Sequence, residues 1–149
     1  AGTVLTLDEA KKATDSGAQF IVAPNFDDEI ATFCAEKKIA YFPGALTPTE
    51  IQKAWSLGAT MVKVFPASQM GPEYFKIIKG PFDNIKLMAV GGVTPSNIKD
   101  YLDGGADAVA VGGAIFSVER MKNQRFKEIQ KDIEEFMFAV HSFYSKMIK

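Results

Sequence analysis

Short apolar, β-branched segments recur along the chain at nearly constant intervals, and this repeat limits the fold more than any other feature. Each segment is apolar almost throughout, as is typical of parallel strands that are covered on both faces. Their first residues lie 19 to 24 positions apart, which suits a strand, a loop, a helix of about three turns and a return loop. The segments are 20–23, 39–42, 61–65, 85–90 and 108–111.

Helix-start signals follow several of these segments. Residues 6–9 and 47–50 each place a threonine three positions before a glutamate, the pattern of a capping box, and Pro48 suits the first helical position. Residues 94–97 repeat the threonine cap and the proline. Helices that alternate with apolar strands predict an α/β fold with a parallel sheet and right-handed crossovers.

The two ends of the chain differ from this repeat. From Met121 onward, apolar residues three and four positions apart predict one amphipathic helix or a broken pair of helices. Residues 1–4 resemble only the exit of a sixth strand. Because an eight-stranded barrel usually needs about 200–250 residues, we expect a (β/α)8 TIM-type barrel that lacks about two βα units at its N-terminus. Residues 1–120 would form the partial barrel, and 121–149 a helix packed on it in the same domain.

Charge and cysteine content exclude several classes of protein. The formal net charge is −1, so there is no electrostatic footprint for nucleic acid or an anionic membrane. The sequence has no run of 18 apolar residues and no visible secretory signal. The single cysteine, Cys34, excludes an internal disulfide and fits the cytoplasm. No His/Asp/Glu cluster has metal-ligand spacing, so we expect no metal.

Lys63 interrupts the apolar segment 61–65 just before Pro66. A lysine that is desolvated in such a place loses proton affinity and becomes a nucleophilic amine near neutral pH. Its position near the carboxyl end of the strand places it at the catalytic face of a barrel. The alternative is a structural ion pair inside the barrel, and the residues alone leave both open.

Two glycine pairs follow the last two predicted strands, Gly91–Gly92 after 85–90 and Gly112–Gly113 after 108–111. Glycines at strand exits let backbone N–H groups approach a phosphate, and a helix N-terminus beyond them favours an anion. Barrels commonly bind phosphate at the loops after their last two strands. We therefore predict a phosphate site here, while tight βα turns remain the simpler reason for these glycines.

Five segments carry a more specific signal: FIVAP at 20–24, FPGALTPTE at 42–50, VKVFPA at 62–67, KGPF at 79–82 and VGGV at 90–93. In order and spacing, from Ala1 to about Phe116, the chain resembles the 2-keto-4-hydroxyglutarate and 2-keto-3-deoxy-6-phosphogluconate (KHG/KDPG) aldolase family. This resemblance implies a class I aldolase, an aldehyde-lyase that needs no cofactor and commonly forms homotrimers. It would cleave these keto acids to pyruvate plus glyceraldehyde 3-phosphate or glyoxylate.

The same resemblance implies roles for individual residues. Lys63 would form an imine with the keto carbon of pyruvate, Phe65 would wall the pocket, and Pro24 would line it. Thr47 would hydrogen-bond the pyruvate carboxylate or a substrate hydroxyl, although its place as an N-cap already explains it. The terminal phosphate would be held by Gly91, Gly92, Gly112 and Gly113.

The chain departs from the family pattern at three places. The family's general base is a glutamate, with an arginine nearby, on a strand that would precede Ala1, so no residue is assigned as the base. Val90 stands where the family often has threonine, which removes a hydroxyl from the pocket. Ala114 stands where a serine often follows the last glycine pair, which removes a potential phosphate ligand. The preferred keto-deoxy acid therefore stays open.

Two other functions fit the residues. A phosphosugar isomerase or epimerase on a related barrel would bind phosphate at the same glycines without forming an imine. An inactive barrel remnant that lacks its base would serve as a binding or assembly module. Trapping an adduct of pyruvate at Lys63 separates the aldolase from both.

Overall fold

The computed structural model of the chain describes residues 1–147, in which short parallel strands alternate with helices. The strands are β1 Phe20–Val22, β2 Ala40–Phe42, β3 Gly44–Ala45, β4 Val62–Val64, β5 Leu87–Val90 and β6 Ala108–Ala110. The helices are α1 Leu7–Asp15, α2 Asp28–Lys37, α3 Pro48–Ser56, α4 Ala67–Met70, α5 Pro72–Lys79, α6 Ile98–Asp103, α7 Val118–Lys122 and α8 Phe126–Met147. Each of the five predicted strand segments contains an observed strand.

The strands lie side by side in chain order. β1 pairs with β2, and β3, β4, β5 and β6 pair in succession, all parallel. Pro43, which has no N–H to donate, separates β2 from β3. The two groups remain connected, because Thr60 N donates to Tyr41 O at 2.9 Å and Lys63 N donates to Pro43 O at 2.8 Å. These hydrogen bonds join the two-stranded sheet of β1 and β2 to the four-stranded sheet of β3 to β6.

Residues 1–4 extend this sheet beside β1. Val22 N donates to Ala1 O at 2.9 Å, and Val4 N donates to Val22 O at 3.2 Å. The predicted exit of a sixth strand is thus present as a paired segment at the edge of the sheet.

The strands separate the side chains into an outer and an inner set, because successive side chains point to opposite faces. The outer set is covered by helices and is almost completely buried: Ile21, Tyr41, Val62, Val64, Leu87 and Ala89. The inner set lines a chamber of about 250 Å³: Phe20, Val22, Phe42, Lys63, Met88, Val90 and Ala110. Phe20 is 50% exposed, so this chamber is open beside β1 within residues 1–147.

Helix capping follows the sequence pattern at two of the three predicted starts. Thr6 and Thr47 both form complete capping boxes with the glutamate three residues later. At the third, Thr94, the regular helix α6 begins later than predicted, at Ile98. The Thr94 hydroxyl still accepts from Asn97 N at 3.3 Å, as a cap does, and Asn97 Oδ1 accepts from Thr94 N at 2.7 Å. These reciprocal bonds close a turn before the helix.

The C-terminal region forms the broken pair of helices. α7 ends at Lys122, and Gln124 takes a left-handed φ of 52° before α8 begins at Phe126. Ile129 and Phe136 of α8 are buried in the same core cluster as α6 residues. The predicted helical region runs to residue 149, and residues 148–149 lie outside the described part of the chain. Among the described residues, no helix has the length and apolarity to cross a membrane.

Lys79 and Asp107 join α5 to the starts of β5 and β6. The Lys79 ammonium donates to Asp107 Oδ2 at 2.8 Å and to Ile85 O at 2.7 Å. Leu87 N also donates to Asp107 Oδ2, at 2.8 Å, and Leu87 is fully buried. The Asp107 carboxylate therefore satisfies a buried backbone donor at the amino edge of the sheet, opposite the strand exits.

We predict that Asp107→Ala destabilises the fold measurably. The substitution leaves the Leu87 N–H without its acceptor, and an unsatisfied buried donor costs about 1–3 kcal/mol. Equilibrium urea unfolding should show a lower midpoint with an unchanged slope.

Asp103→Ala is the matched control, because Asp103 pairs with Lys99 at 2.6 Å on the exposed surface of α6. An exposed pair four residues apart on a helix contributes only about 0.3–0.5 kcal/mol. Equal losses from the two substitutions would contradict the role given to Asp107.

Candidate functional site

Lys63 occupies the inner face of β4. Its neighbours Val62 and Val64 are fully buried under the helices, so the alternation of the strand directs Lys63 into the chamber. Every other residue that lines this chamber is apolar. The lysine is therefore a single polar group in an apolar cavity near the strand exits.

The Lys63 ammonium has no carboxylate partner within residues 1–147, which removes the alternative of a structural ion pair among these residues. Burial lowers the pKa of Lys63 below its ordinary value, because desolvation disfavours the charged form. Its Nζ lies 4.5 Å from the centre of the Phe65 ring. The amine is thus biased toward its neutral, nucleophilic form.

Phe65 lies between Lys63 and two neighbouring loops. A Cβ built on Gly91 would lie 3.3 Å from the Phe65 ring, so that ring packs directly on the exit of β5. Phe65 also lines a cleft of about 360 Å³ beside Pro24. The structure therefore brings together three of the predicted site residues, Lys63, Phe65 and Gly91, and Pro24 lines the cleft that Phe65 also lines.

Gly44 allows this cleft to form. A Cβ at Gly44 would lie only 2.0 Å from the Pro24 carbonyl oxygen, far inside van der Waals contact. Gly44 N donates to Asn25 O at 3.3 Å across the same gap. Glycine is needed here because two backbone segments approach each other closely.

Thr47 lies in a different setting from Lys63. Its hydroxyl accepts from Glu50 N at 3.4 Å, and its own N–H donates to the Glu50 carboxylate at 2.9 Å. Thr47 is exposed and, within the described chain, lines neither the Lys63 chamber nor the Pro24 cleft. Capping of α3 is a sufficient reason for a threonine at position 47, and a contact between Thr47 and the substrate stays a prediction.

Three polar residues that the sequence reasoning did not select also line the Pro24 cleft, namely Asn25, Glu50 and Lys53. Two backbone N–H groups donate to the Glu50 carboxylate and lower its pKa, so it remains ionised and occupied by the capping box. Lys53 pairs with Asp28 at 2.8 Å. Only Glu50 had a sequence signal, as part of the capping box at residues 47–50, and its contacts support that role.

Gly91 and Gly92 have a structural reason to be glycine. Both have positive φ angles, of 90° and 81°, a conformation that side chains with a Cβ rarely adopt. A Cβ at Gly92 would lie 2.4 Å from the Cβ of Ser68. The loop is held by Ser68 N, which donates to Gly91 O at 3.0 Å, and by the Asn97 amide, which donates to Gly92 O at 3.0 Å.

Gly112 and Gly113 differ from the first glycine pair. Neither has a positive φ, and a Cβ on either would meet no atom of the described chain within 4 Å. Neither conformation nor packing within residues 1–147 therefore demands glycine here, and open space lies in front of both. This is the setting in which a ligand can approach the backbone closely.

The two glycine loops lie side by side. Val90 and Ala110 are register partners in β5 and β6, so the loops leave adjacent strands at the same edge of the sheet. The helices beyond them begin only at Ile98 and Val118, several residues later. Loop N–H groups, rather than the helix ends of the sequence prediction, are therefore the donors nearest this edge.

The two departures from the family pattern lie in different places. Val90 lines the Lys63 chamber, so the position that often carries a threonine hydroxyl is apolar here. Ala114 is exposed in the turn that follows the second glycine pair. A threonine at position 90 would therefore place its hydroxyl in the chamber, and a serine at position 114 would place its hydroxyl in the turn after Gly112–Gly113.

Thr3 is a further candidate that the sequence reasoning missed. It has a left-handed φ of 57° at the exit of the segment that pairs with β1. Non-glycine residues in this conformation concentrate at ligand-binding sites. No sequence pattern signals such a backbone angle, so the structure was needed to find it.

The rest of the described chain offers no stronger candidate site. Among residues 1–147, no group of three or more His, Cys, Asp or Glu side chains is arranged to hold a metal ion. A larger groove, of about 720 Å³, runs between α8 and the start of α6, and Phe138 and Phe143 line it. It includes none of the predicted site residues, so the smaller Lys63 chamber remains the candidate site.

Known proteins share both the sequence and this architecture. The family model described as KDPG and KHG aldolase matches residues 1–132. The 2-dehydro-3-deoxy-6-phosphogalactonate aldolase of Escherichia coli (strain K12) is 36% identical over 129 residues, which are 83% of this chain and 63% of that protein. The chain thus spans less than two thirds of that relative's length.

Solved structures agree with this comparison. One described as "Native KDPGal structure" superposes with a TM-score of 0.91 at 30% identity, covering 97% of this chain and 69% of that one. KDPG aldolase from Legionella pneumophila, with pyruvate captured as a covalent carbinolamine intermediate, superposes with a TM-score of 0.81 at 28% identity, covering 93% and 66%. The predicted (β/α)8 barrel is confirmed, with residues 1–147 supplying part of it.

We predict that Lys63→Met raises the melting temperature at neutral pH. The folded-state pKa of Lys63 is lowered, so the protonated amine destabilises the native state at every pH below that pKa. The advantage of methionine should shrink as the pH rises from the folded-state pKa toward the ordinary value of 10.5. Thermal unfolding of both proteins across this pH range measures the difference.

The exposed Lys86, substituted in the same way, should show no such pH-dependent gain. A Lys63→Met protein that is less stable than the parent at neutral pH would contradict the desolvation of this amine.

Proposed function

The chain belongs to the KDPG and KHG aldolase family, and from this membership we propose that it is a class I aldolase. It cleaves 2-keto-3-deoxy-6-phosphogluconate, its 6-phosphogalactonate counterpart or 2-keto-4-hydroxyglutarate to pyruvate and an aldehyde. The observation that carries the proposal is Lys63, a desolvated amine without a carboxylate partner among residues 1–147, in an apolar chamber at the strand exits. The chemistry of an imine needs no metal or organic cofactor.

The reaction begins at the neutral Lys63 amine. Its nitrogen attacks the C2 carbonyl of the keto acid, and loss of water gives a protonated imine. The imine withdraws the electron pair of the C3–C4 bond, which becomes the C2=C3 bond of an enamine. The C4 hydroxyl loses its proton, and the aldehyde leaves. C3 then takes up a proton, and water releases pyruvate and restores the amine.

Proton transfer at C3 and the C4 hydroxyl needs a group from beyond the chamber lining. No carboxylate lines the chamber within residues 1–147. Glu50, in the neighbouring cleft, is a poor base because its carboxylate accepts two backbone hydrogen bonds and its pKa is lowered. Water, or a group from outside the described residues, supplies this function in the proposal.

The remaining predicted residues bind the substrate. The Phe65 ring packs beside the amine, and Pro24 lines the neighbouring cleft together with Phe65. The open space in front of Gly112 and Gly113 supports their role in holding the terminal phosphate, beside Gly91–Gly92. Thr47 contacts the pyruvate carboxylate or a hydroxyl when the substrate extends past Phe65 toward α3.

We expect pyruvate and borohydride to leave a stable adduct on Lys63, located by peptide mass spectrometry. Lys63→Arg should abolish both this adduct and pyruvate release from the three keto acids. Arginine keeps the charge and most of the volume but cannot form the imine. Lys86→Arg should trap pyruvate as the parent does, because Lys86 is exposed and lies outside the chamber.

Three results would count against the proposal. Pyruvate release within tenfold of the parent from the Lys63→Arg protein would remove Lys63 from the mechanism. Phosphate binding without any adduct in the parent would favour a phosphosugar isomerase or epimerase on the same barrel, and no binding of either would leave an inactive module.

We further propose that the protein works as a homotrimer in the cytoplasm. Trimers are common in the family. The sheet edges at residues 1–4 and β6 are unpaired within residues 1–147, and such edges favour association. Light scattering should give three times the chain mass of 16.3 kDa. A monomer at all concentrations tested would exclude this assembly.

A further inference from the structure

The turn after β6 is closed by its own backbone. Ile115 N and Phe116 N both donate to Gly112 O, each at 2.9 Å. Ile115 is 1% exposed, so its side chain anchors the turn in the core. Gly112 and Gly113 stand on the open side of the turn, with no atom of the described chain near the position of a Cβ. The turn thus has one packed side and one open side.

Arg120 of α7 holds the packed side of this turn. Its guanidinium Nη1 donates to Ile115 O at 3.4 Å and to the Asp132 carboxylate of α8. Its Nε lies 3.9 Å from the Glu128 carboxylate. The side chains of Arg120 and Asp132 are 27% and 30% exposed, so both are largely removed from water. Arg120 thereby links the turn to the long helix α8, which is itself packed on the core through Ile129 and Phe136.

This link matters because glycine backbones are flexible. A loop whose N–H groups bind an anion loses affinity when it must first be ordered, since the ordering entropy is subtracted from the binding free energy. Arg120 cannot itself supply much attraction for a phosphate, because two carboxylates surround its guanidinium. Its contribution lies in fixing the Ile115 carbonyl, and with it the glycine backbone of the same turn.

We propose that Arg120, held by Asp132, is a positioning residue that keeps the Gly112–Ile115 turn in the conformation that binds the phosphate of the substrate. The proposal rests on the aldolase function described above, and it assigns to α7 and α8 a part in phosphate affinity. The proposal predicts different effects on substrates with and without a phosphate group. Binding of phosphorylated keto acids depends on Arg120, whereas binding of pyruvate at Lys63 does not.

The test compares Arg120→Gln and Asp132→Asn with the control Arg125→Gln. Arg125 pairs with Glu119 at 3.7 Å and Glu128 at 3.8 Å, on the same two helices, but makes no hydrogen bond to the turn. Inorganic phosphate is titrated into each protein, and the amide signals of Gly112 and Gly113 are followed by NMR. Arg120→Gln and Asp132→Asn should raise the Kd about tenfold, the scale known for partners that orient metal ligands. The control should bind as the parent does.

Pyruvate trapping at Lys63, run on every variant, distinguishes the two proposals. If the parent protein forms no pyruvate adduct, the aldolase function is refuted, whatever its measured affinity for phosphate. Parent protein with an adduct, and Arg120→Gln with parental phosphate affinity, refutes the positioning role. Equal weakening by Arg125→Gln assigns the effect to general stability and also overturns it. If Arg120→Gln does not fold, Asp132→Asn decides, since it removes the carboxylate charge that holds the guanidinium and leaves Arg120 itself in place.

Discussion

The alternation of side chains along β4 is the constraint on which the site depends. Val62 and Val64 are fully buried beneath the helices, and their burial leaves Lys63 no direction but the interior of the barrel. A register shift of one residue would bury the amine among helices and expose two valines to the chamber. The hydrophobic packing of the outer face therefore fixes the chemistry of the inner face.

The amino and carboxyl ends of the strands have different roles. At the amino edge, charges are paired and backbone donors are satisfied, as Lys79 and Asp107 show. At the carboxyl edge, Lys63 has no carboxylate partner within residues 1–147, and the second glycine pair faces open space. In barrels generally, residues at the N-terminal face of the strands contribute to stability, and active sites lie at the C-terminal face. Leaving an amine unpaired in an apolar chamber lowers stability, and the same desolvation lowers the pKa of Lys63.

The glycines show why one residue type needs several explanations. Gly44 is needed for the close approach of the Pro24 carbonyl, and Gly91 and Gly92 for positive φ angles. Gly112 and Gly113 meet neither condition, so neither packing nor conformation within residues 1–147 explains them. From sequence alone the two pairs were indistinguishable.

Much of the fold, and the placement of Lys63 at the centre of the candidate site, could be predicted from local patterns. The five apolar segments, the capping boxes at Thr6 and Thr47 and the lysine inside a strand depend on neighbours a few residues apart, whose physics is contained in the sequence. Tertiary structure alone decided the rest. The place of Phe65 between Lys63 and Gly91, the left-handed Thr3, the shifted start of α6 and the link from Arg120 to the glycine turn all depend on contacts between distant segments. No periodicity encodes such contacts, because they arise only when packing brings the strand exits together.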